Sequence, residues 1–190
     1  MSSTPLITNL SKIEQKTILD LLSKGKRIDG RFLLDFRELK IEYGVIEKAN
    51  GSAQLSLGKT KVLVGIKVEI GEPFSDTPDE GVLTVNAELV PLASPSFEPG
   101  PPDENSIELA RVVDRGIRES KAIEMEKLCI KSGKNVFVVF VDVYVLNHDG
   151  NLIDAAALAA LAALLNTKIP KYGIEEGGGK IEPGDTPLPM

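Results

Sequence analysis

Apolar and polar residues alternate with a period of two along several stretches of this chain. "FRELKIEYGVIE", from residue 36, alternates through Leu39, Ile41 and Tyr43. "SAQLSL" alternates through Ala53, Leu55 and Leu57, and "GKT" then turns the chain. "KVLVGIKVEI" carries Val62, Val64, Ile66, Val68 and Ile70 on one side, a sustained strand pattern. "VLTVNAELV" alternates through Leu83, Val85, Ala87 and Leu89. "VFVVFVDVYVL" is a continuous β-branched and apolar run, which predicts a strand buried on both faces.

Helical signals stand at three places. "SKIEQKTILDLLSKG" opens with Ser11 and Glu14 in capping-box spacing and stops at Gly25. "IELARVVDRGIRESKA" follows a start signal at Pro102, Asp103 and Glu104. Its Ile107, Ala110, Val113, Gly116 and Ile117 mark a packing side. "NHDGNLIDAAALAALAALLNTK" is a loop followed by an Ala/Leu helix whose small residues imply close packing on a sheet. "GEPFSDTPDEG" and the five-proline stretch "PLASPSFEPGPPDEN" read as loops. The end, "KYGIEEGGGKIEPGDTPLPM", has little apolar content and much Gly and Pro, and predicts loop or disorder. Strand-rich and then helix-rich halves give an α+β fold, a mixed β-sheet packed against helices. The expected organisation is an N-terminal helical extension over 1–25, a domain over 26–170 and a tail over 171–190.

Composition narrows the class. At 190 residues and 42% hydrophobic the chain can build one real core, and without Trp that core must be aliphatic. A single cysteine, Cys129, leaves no internal disulfide framework and fits a reducing, cytoplasmic setting. No apolar run reaches about 18 residues, which argues against a membrane span. "MSSTPLITNL" lacks the cationic start and apolar stretch of a secretory signal. The 28 acidic against 22 basic residues give a net charge of −6, which argues against indiscriminate coating of nucleic acid. A local basic site is still open, because recognition depends on where the charges sit.

One such site is visible. Arg111, Arg115 and Arg118 fall at i, i+4 and i+7, along one side of a helix. The row is either a solvated face ion-paired by Asp114 to Arg118 and Glu108 to Arg111, or a set of phosphate contacts. Arginine suits the second role: it is planar, always charged and able to grip phosphate oxygens with a bidentate fork. "KGKRIDGR", with Lys24, Lys26, Arg27 and Arg31, is a second basic cluster. Other candidates are weaker. His148 beside Asp149 in "NHDGN" reads as a solvated turn histidine, and Cys129 as a packed thiol. "EEGGGK" fails the context of a phosphate loop, lacking a following Ser/Thr and helix. Asp142 and Asp154 could approach each other at a strand end and helix start. Asp154 more plausibly favours its helix N-terminus. No metal-ligand spacing is present.

Several separated motifs together resemble the RNase PH family. "KRIDGR", "DFRELKIEYGVIEKANGSAQLSLGKTKVLVGIK" and above all "VNAELVPLASPSFEPGPPDENSIELARVVDRGIRES" carry the likeness, which runs from about Gly25 to Pro170. The last stretch is similar to the non-catalytic RNase PH-like subunits of the archaeal exosome. The resemblance implies an RNase PH-like domain of the ribosomal protein S5 domain 2-like fold. It implies a hetero-hexameric ring with a catalytic RNase PH-like subunit, RNA-binding cap subunits, and single-stranded RNA degraded 3′ to 5′ by phosphorolysis. It makes Arg111 and Arg115 RNA contacts, with Arg118 the ion-paired one. It also implies no catalytic residue and no metal in this chain, with phosphate and Mg²⁺ used by the catalytic partner. Where the active family members carry a phosphate-binding Gly-Thr/Ser-Arg-Ser-like stretch, this sequence has "DGNLIDAAA". The resemblance further implies that the chain stops before the family's second half, as a fragment or a split subunit. The alternative is an active phosphorolytic 3′–5′ exoribonuclease using Asp142, Asp149 or Asp154.

Overall fold

A computed structural model of the chain describes residues 11–175 and 178–190. The "MSSTPLITNL" segment and part of the "EEGGGK" loop lie outside the described residues. The chain divides into two compact units, Met1–Glu38 and Leu39–Met190.

In the first unit, helix α1 (Lys12–Ser23) starts with the capping box its sequence predicts. The Glu14 amide donates to Ser11 Oγ, and the Ser11 amide donates to the Glu14 carboxylate. Gly25, at φ 71°, ends it in the left-handed conformation that glycine adopts without strain. The basic loop that follows is tied to itself. Arg27 Nε and Nη2 donate to the Leu33 carbonyl at 3.1 and 2.8 Å. Arg31 pairs with Asp29 at 2.7 Å and donates to the Asp35 carbonyl at 2.6 Å.

The second unit is built on a mixed sheet in the order β1-β2-β3-β6-β4. Its strands are β1 (Leu39–Tyr43), β2 (Gly51–Leu57), β3 (Thr60–Gly71), β4 (Val82–Leu89), the short β5 (Cys129–Lys131) and β6 (Asn135–Asn147). The four stretches of alternation in the sequence are β1 to β4. All neighbours are antiparallel except β4 and β6, which run parallel and are joined through helix α2 (Glu104–Glu119). β5 adds an antiparallel bridge at the start of β6.

Helix α3 (Leu152–Leu165) packs over β2 and β3, α2 packs over β4, and the two helices touch. Ala155, Ala156, Ala159, Ala160 and Ala163 are fully buried, so the small residues do bring α3 close to the sheet. Beneath them lie Val62, Val64, Ile66, Val139, Val141, Val143 and Val145, an aliphatic core as composition required. No described helix is long and apolar enough to cross a membrane.

β6 departs from expectation. One face is buried, but on the other Val138, Phe140 and Asp142 are only partly covered and Tyr144 is exposed. Both helices sit on the same side of the sheet. The other side is lined by cross-strand rows such as Gly65–Asp142–Asn86 and Leu63–Tyr144–Glu88. The continuous apolar run therefore reflects a central strand with one wet face rather than a strand covered twice.

The end of the chain departs further. β7 (Lys168–Glu175) and β8 (Gly178–Pro187) form an antiparallel ribbon where loop was expected. A two-stranded ribbon consists only of edges, so proline removes no interior ladder bond there. Leu188 is buried and its amide donates to the Thr167 carbonyl at 3.0 Å, fastening the last residues to the body.

Candidate nucleic-acid interface

Helix α2 is placed by both its ends and its buried stripe. Asp103 caps it: the carboxylate accepts the Ser106 amide at 2.8 Å and the Asn105 side chain at 3.0 Å. Partial burial is the largest single influence on the Asp103 carboxyl and pushes it up. The hydrogen bonds from Ser106 and Asn105 together outweigh it and hold the group below its ordinary value. The packing stripe is Ser106, Leu109, Val113 and Ile117. Ile107 and Gly116, expected on that stripe, are exposed. Val113 and Ile117 hold the expected side, with Ala110 partly buried against the core, while Leu109 and Ser106 take the places expected of Ile107 and Gly116.

The exposed flank carries the arginine row. Arg111 and Arg115 are exposed, and among the described residues neither side chain has an ion pair or a hydrogen bond. Arg118 differs. Its Nη2 and Nε donate to the two Asp114 oxygens at 2.7 and 3.0 Å, and Nη2 also reaches the Leu83 carbonyl at 3.2 Å. The Asp114 carboxylate raises the Arg118 guanidinium above its already high value. Of the two pairs expected on spacing, Asp114–Arg118 forms, and Glu108–Arg111 does not among the described residues.

Arg111 and Arg115 stand between two shallow grooves. One, of about 560 Å³, is bordered by Glu104, Ile107, Glu108 and Val112. The other, of about 440 Å³, is bordered by Val85, Ala110, Asp114 and Arg118. Acids at the start of α2 and bases toward its end complement the helix dipole, which favours this polarity of charge. The dipole accounts for the direction of the gradient. It gives no reason for two arginines to remain without partners.

The other candidates are dispersed. Asp142 lies mid-strand on the open sheet face, where it accepts from Asn86 at 3.2 Å. Asp154 is in the first turn of α3, on the helix side, and accepts from Asn151 at 2.9 Å. The approach of these two carboxylates does not form, because alternate residues of a strand face opposite ways. Asn151 caps α3 in a left-handed conformation, φ 57°, and its side chain makes no cap hydrogen bond. His148 is not simply solvated. Its ring lies 5.3 Å from that of Phe97, its amide donates to the Ala93 carbonyl, and Nδ1 is buried without a partner among the described residues. Sequence reading missed this contact because Phe97 lies in a proline-rich loop far away in the chain. Cys129 is a half-buried free thiol.

The second unit is thus an α+β domain of one mixed sheet with both of its helices on one side. Residues 35–170 match the 3′ exoribonuclease family, domain 1, the RNase PH family, and the chain belongs to it. It is 61% identical over 183 residues to the exosome complex component Rrp42 of Thermococcus kodakarensis, covering 95% of this chain and 67% of that protein. The Rrp42 component of Archaeoglobus fulgidus is 58% identical over 174 residues, covering 92% of this chain and 67% of its own. Among solved structures, the Archaeoglobus fulgidus exosome with RNA bound to the active site superposes with a TM-score of 0.80 at 51% identity, over 90% of this chain and 76% of that one. An archaeal exosome core superposes at 0.74 with 46% identity, over 90% of this chain and 74% of that one. The chain spans about two thirds of the length of the curated relatives it matches.

Proposed function

We propose that this chain is a non-catalytic, RNA-positioning subunit of an exosome-type ring. Its partner would be a catalytic RNase PH-like subunit, and the assembly would shorten single-stranded RNA from the 3′ end by phosphorolysis. The observation that carries this reading is the pair Arg111 and Arg115, one helical turn apart, exposed and unengaged beside an arginine that is engaged. Free guanidinium groups at that spacing can each hold a phosphate of a passing strand without having to break an existing ion pair first. Similarity to exosome components supports the setting.

The positioning role, rather than cleavage, is supported by the start of α3. A phosphate nucleophile needs preorganised positive charge where it binds. Here the turn "DGNLIDAAA" presents Asn151 and the Asp154 carboxylate, which repels an anion. The phosphate and Mg²⁺ chemistry of the ring then belongs to the partner subunit.

The test is a charge reversal. Arg111→Glu with Arg115→Glu is assembled with the catalytic subunit, and RNA binding and decay are followed over a range of salt. The reading expects weaker binding, slower decay and a shallower salt dependence. Decay and salt slopes equal to those of the parent assembly would remove both residues from the RNA path.

A further inference from the structure

We propose that Asp114 is a charge lock that withholds Arg118 from the arginine row and fastens α2 to the edge of the sheet. The inference rests on reading the exposed flank of α2 as an RNA-contact surface.

A guanidinium has five N–H donors. Arg118 commits three of them: Nε to Asp114 Oδ2 at 3.0 Å, Nη2 to Asp114 Oδ1 at 2.7 Å, and the second Nη2 hydrogen to the Leu83 carbonyl at 3.2 Å. The first two form the bidentate fork that carboxylates and phosphates both accept, so Asp114 occupies the geometry a phosphate would need. The third bond reaches β4, which has no strand on its far side among the described residues, and so satisfies a carbonyl of that edge strand. Arg118 is 45% exposed and Asp114 24% exposed, so the pair is screened but not open on all sides.

Two consequences follow. The row offers a strand two cations, not the three its spacing suggests. And the rotation of α2, which decides where Arg111 and Arg115 point, is fixed at its C-terminal half by a contact to the sheet. Asp114 and Arg118 are positioning residues in this scheme, acting through Arg111 and Arg115.

Counterion release reads the number of phosphate contacts directly. For single strands the slope of log affinity against log salt changes by about 0.7 per phosphate neutralised. The full chain is titrated with a 5′-labelled single-stranded oligoribonucleotide at several salt concentrations. Asp114→Ala frees Arg118 and should steepen the slope by about 0.7, one further phosphate. In the Asp114→Ala background, Arg118→Gln should cancel that steepening. An unchanged slope in Asp114→Ala, or a steepening that survives Arg118→Gln in that background, overturns the lock.

A second readout does not depend on RNA. The rate of modification of each arginine by p-hydroxyphenylglyoxal is followed by peptide mass spectrometry. Arg118 should react more slowly than Arg111 and Arg115 in the parent, and at a similar rate to them in Asp114→Ala. Equal rates for all three in the parent overturn the lock whatever the RNA result. If instead the chain fails to bind RNA, or binds it as well with Arg111→Gln and Arg115→Gln, the RNA reading fails, and the modification rates still decide the lock.

Discussion

Arg115 and Arg118 lie three residues apart on the exposed flank of α2, yet only Arg118 is engaged. Asp114 sits one turn before Arg118 and takes two of its hydrogen bonds. The side chains of Arg115 and its predecessor in the row, Arg111, have no ion pair or hydrogen bond among the described residues. Surface ion pairs of this kind contribute only about 0.2–1 kcal/mol, so the division matters less for stability than for which charges remain available.

Removing the free charges one at a time should change binding without changing folding. Arg111→Gln and Arg115→Gln should each make the salt slope of single-stranded RNA binding shallower by about 0.7. Neither should move the stability of the chain by more than about 0.5 kcal/mol, since exposed residues without partners leave little behind. Denaturant titration beside the binding series checks both halves. A stability loss of several kcal/mol would mean that these side chains serve the fold.

The cap of α2 should be visible in stability and in its pH dependence. Asp103→Ala should cost about 1 kcal/mol, the usual worth of an N-cap side chain. Because the folded-state Asp103 carboxyl is held below its ordinary value, its contribution is fully present above the unfolded value near 3.9 and fades as pH falls through the folded value. Asp103→Asn should therefore lower stability near neutrality while making it less sensitive to acid. Urea midpoints between about pH 2 and 7 test the sign. A variant that loses as much on acidification as the parent would put the acid sensitivity elsewhere.

Gly51 opens β2 directly under the end of α3. A Cβ there would stand 2.7 Å from the Ala163 carbonyl oxygen and 2.7 Å from Thr167 Cα, both backbone atoms that cannot swing away. Thr167 is itself pinned, its hydroxyl donating to the Ala163 carbonyl at 2.8 Å. Gly51→Ala should destabilise the second unit by about 1–3 kcal/mol, as overpacking does elsewhere. A thermal midpoint unchanged from the parent would show that α3 can lift from the sheet at little cost.

The purified chain should not degrade RNA by itself. Incubated with 5′-labelled single-stranded RNA, phosphate and Mg²⁺, it should leave the 3′ end intact, and decay should begin only when a catalytic RNase PH-like subunit is added. Phosphate-dependent shortening by the chain alone would move the chemistry into these residues and favour the alternative of an active exoribonuclease.

Local chemistry determined much of this protein before any folding was known. The capping box of Ser11 and Glu14, the stop at Gly25, the alternating runs of β1 to β4 and the alanine face of α3 all depend on neighbours within a few residues, and sequence shows neighbours. The row of three arginines and the Asp114–Arg118 option are legible for the same reason, since i,i+4 spacing is a local property of a helix. Tertiary structure decided what depends on distant residues. It left one face of β6 open, because both helices came to the same side of the sheet. It turned the Gly- and Pro-rich end into a ribbon, because β7 and β8 had each other to pair with and Leu188 had a core to enter. It left Ile107 exposed and took Leu109 into the core instead, set His148 against Phe97, and brought the Leu83 carbonyl within reach of Arg118 from 35 residues away. Which arginines stay free is a question about partners across the fold, and no periodicity in the chain records it.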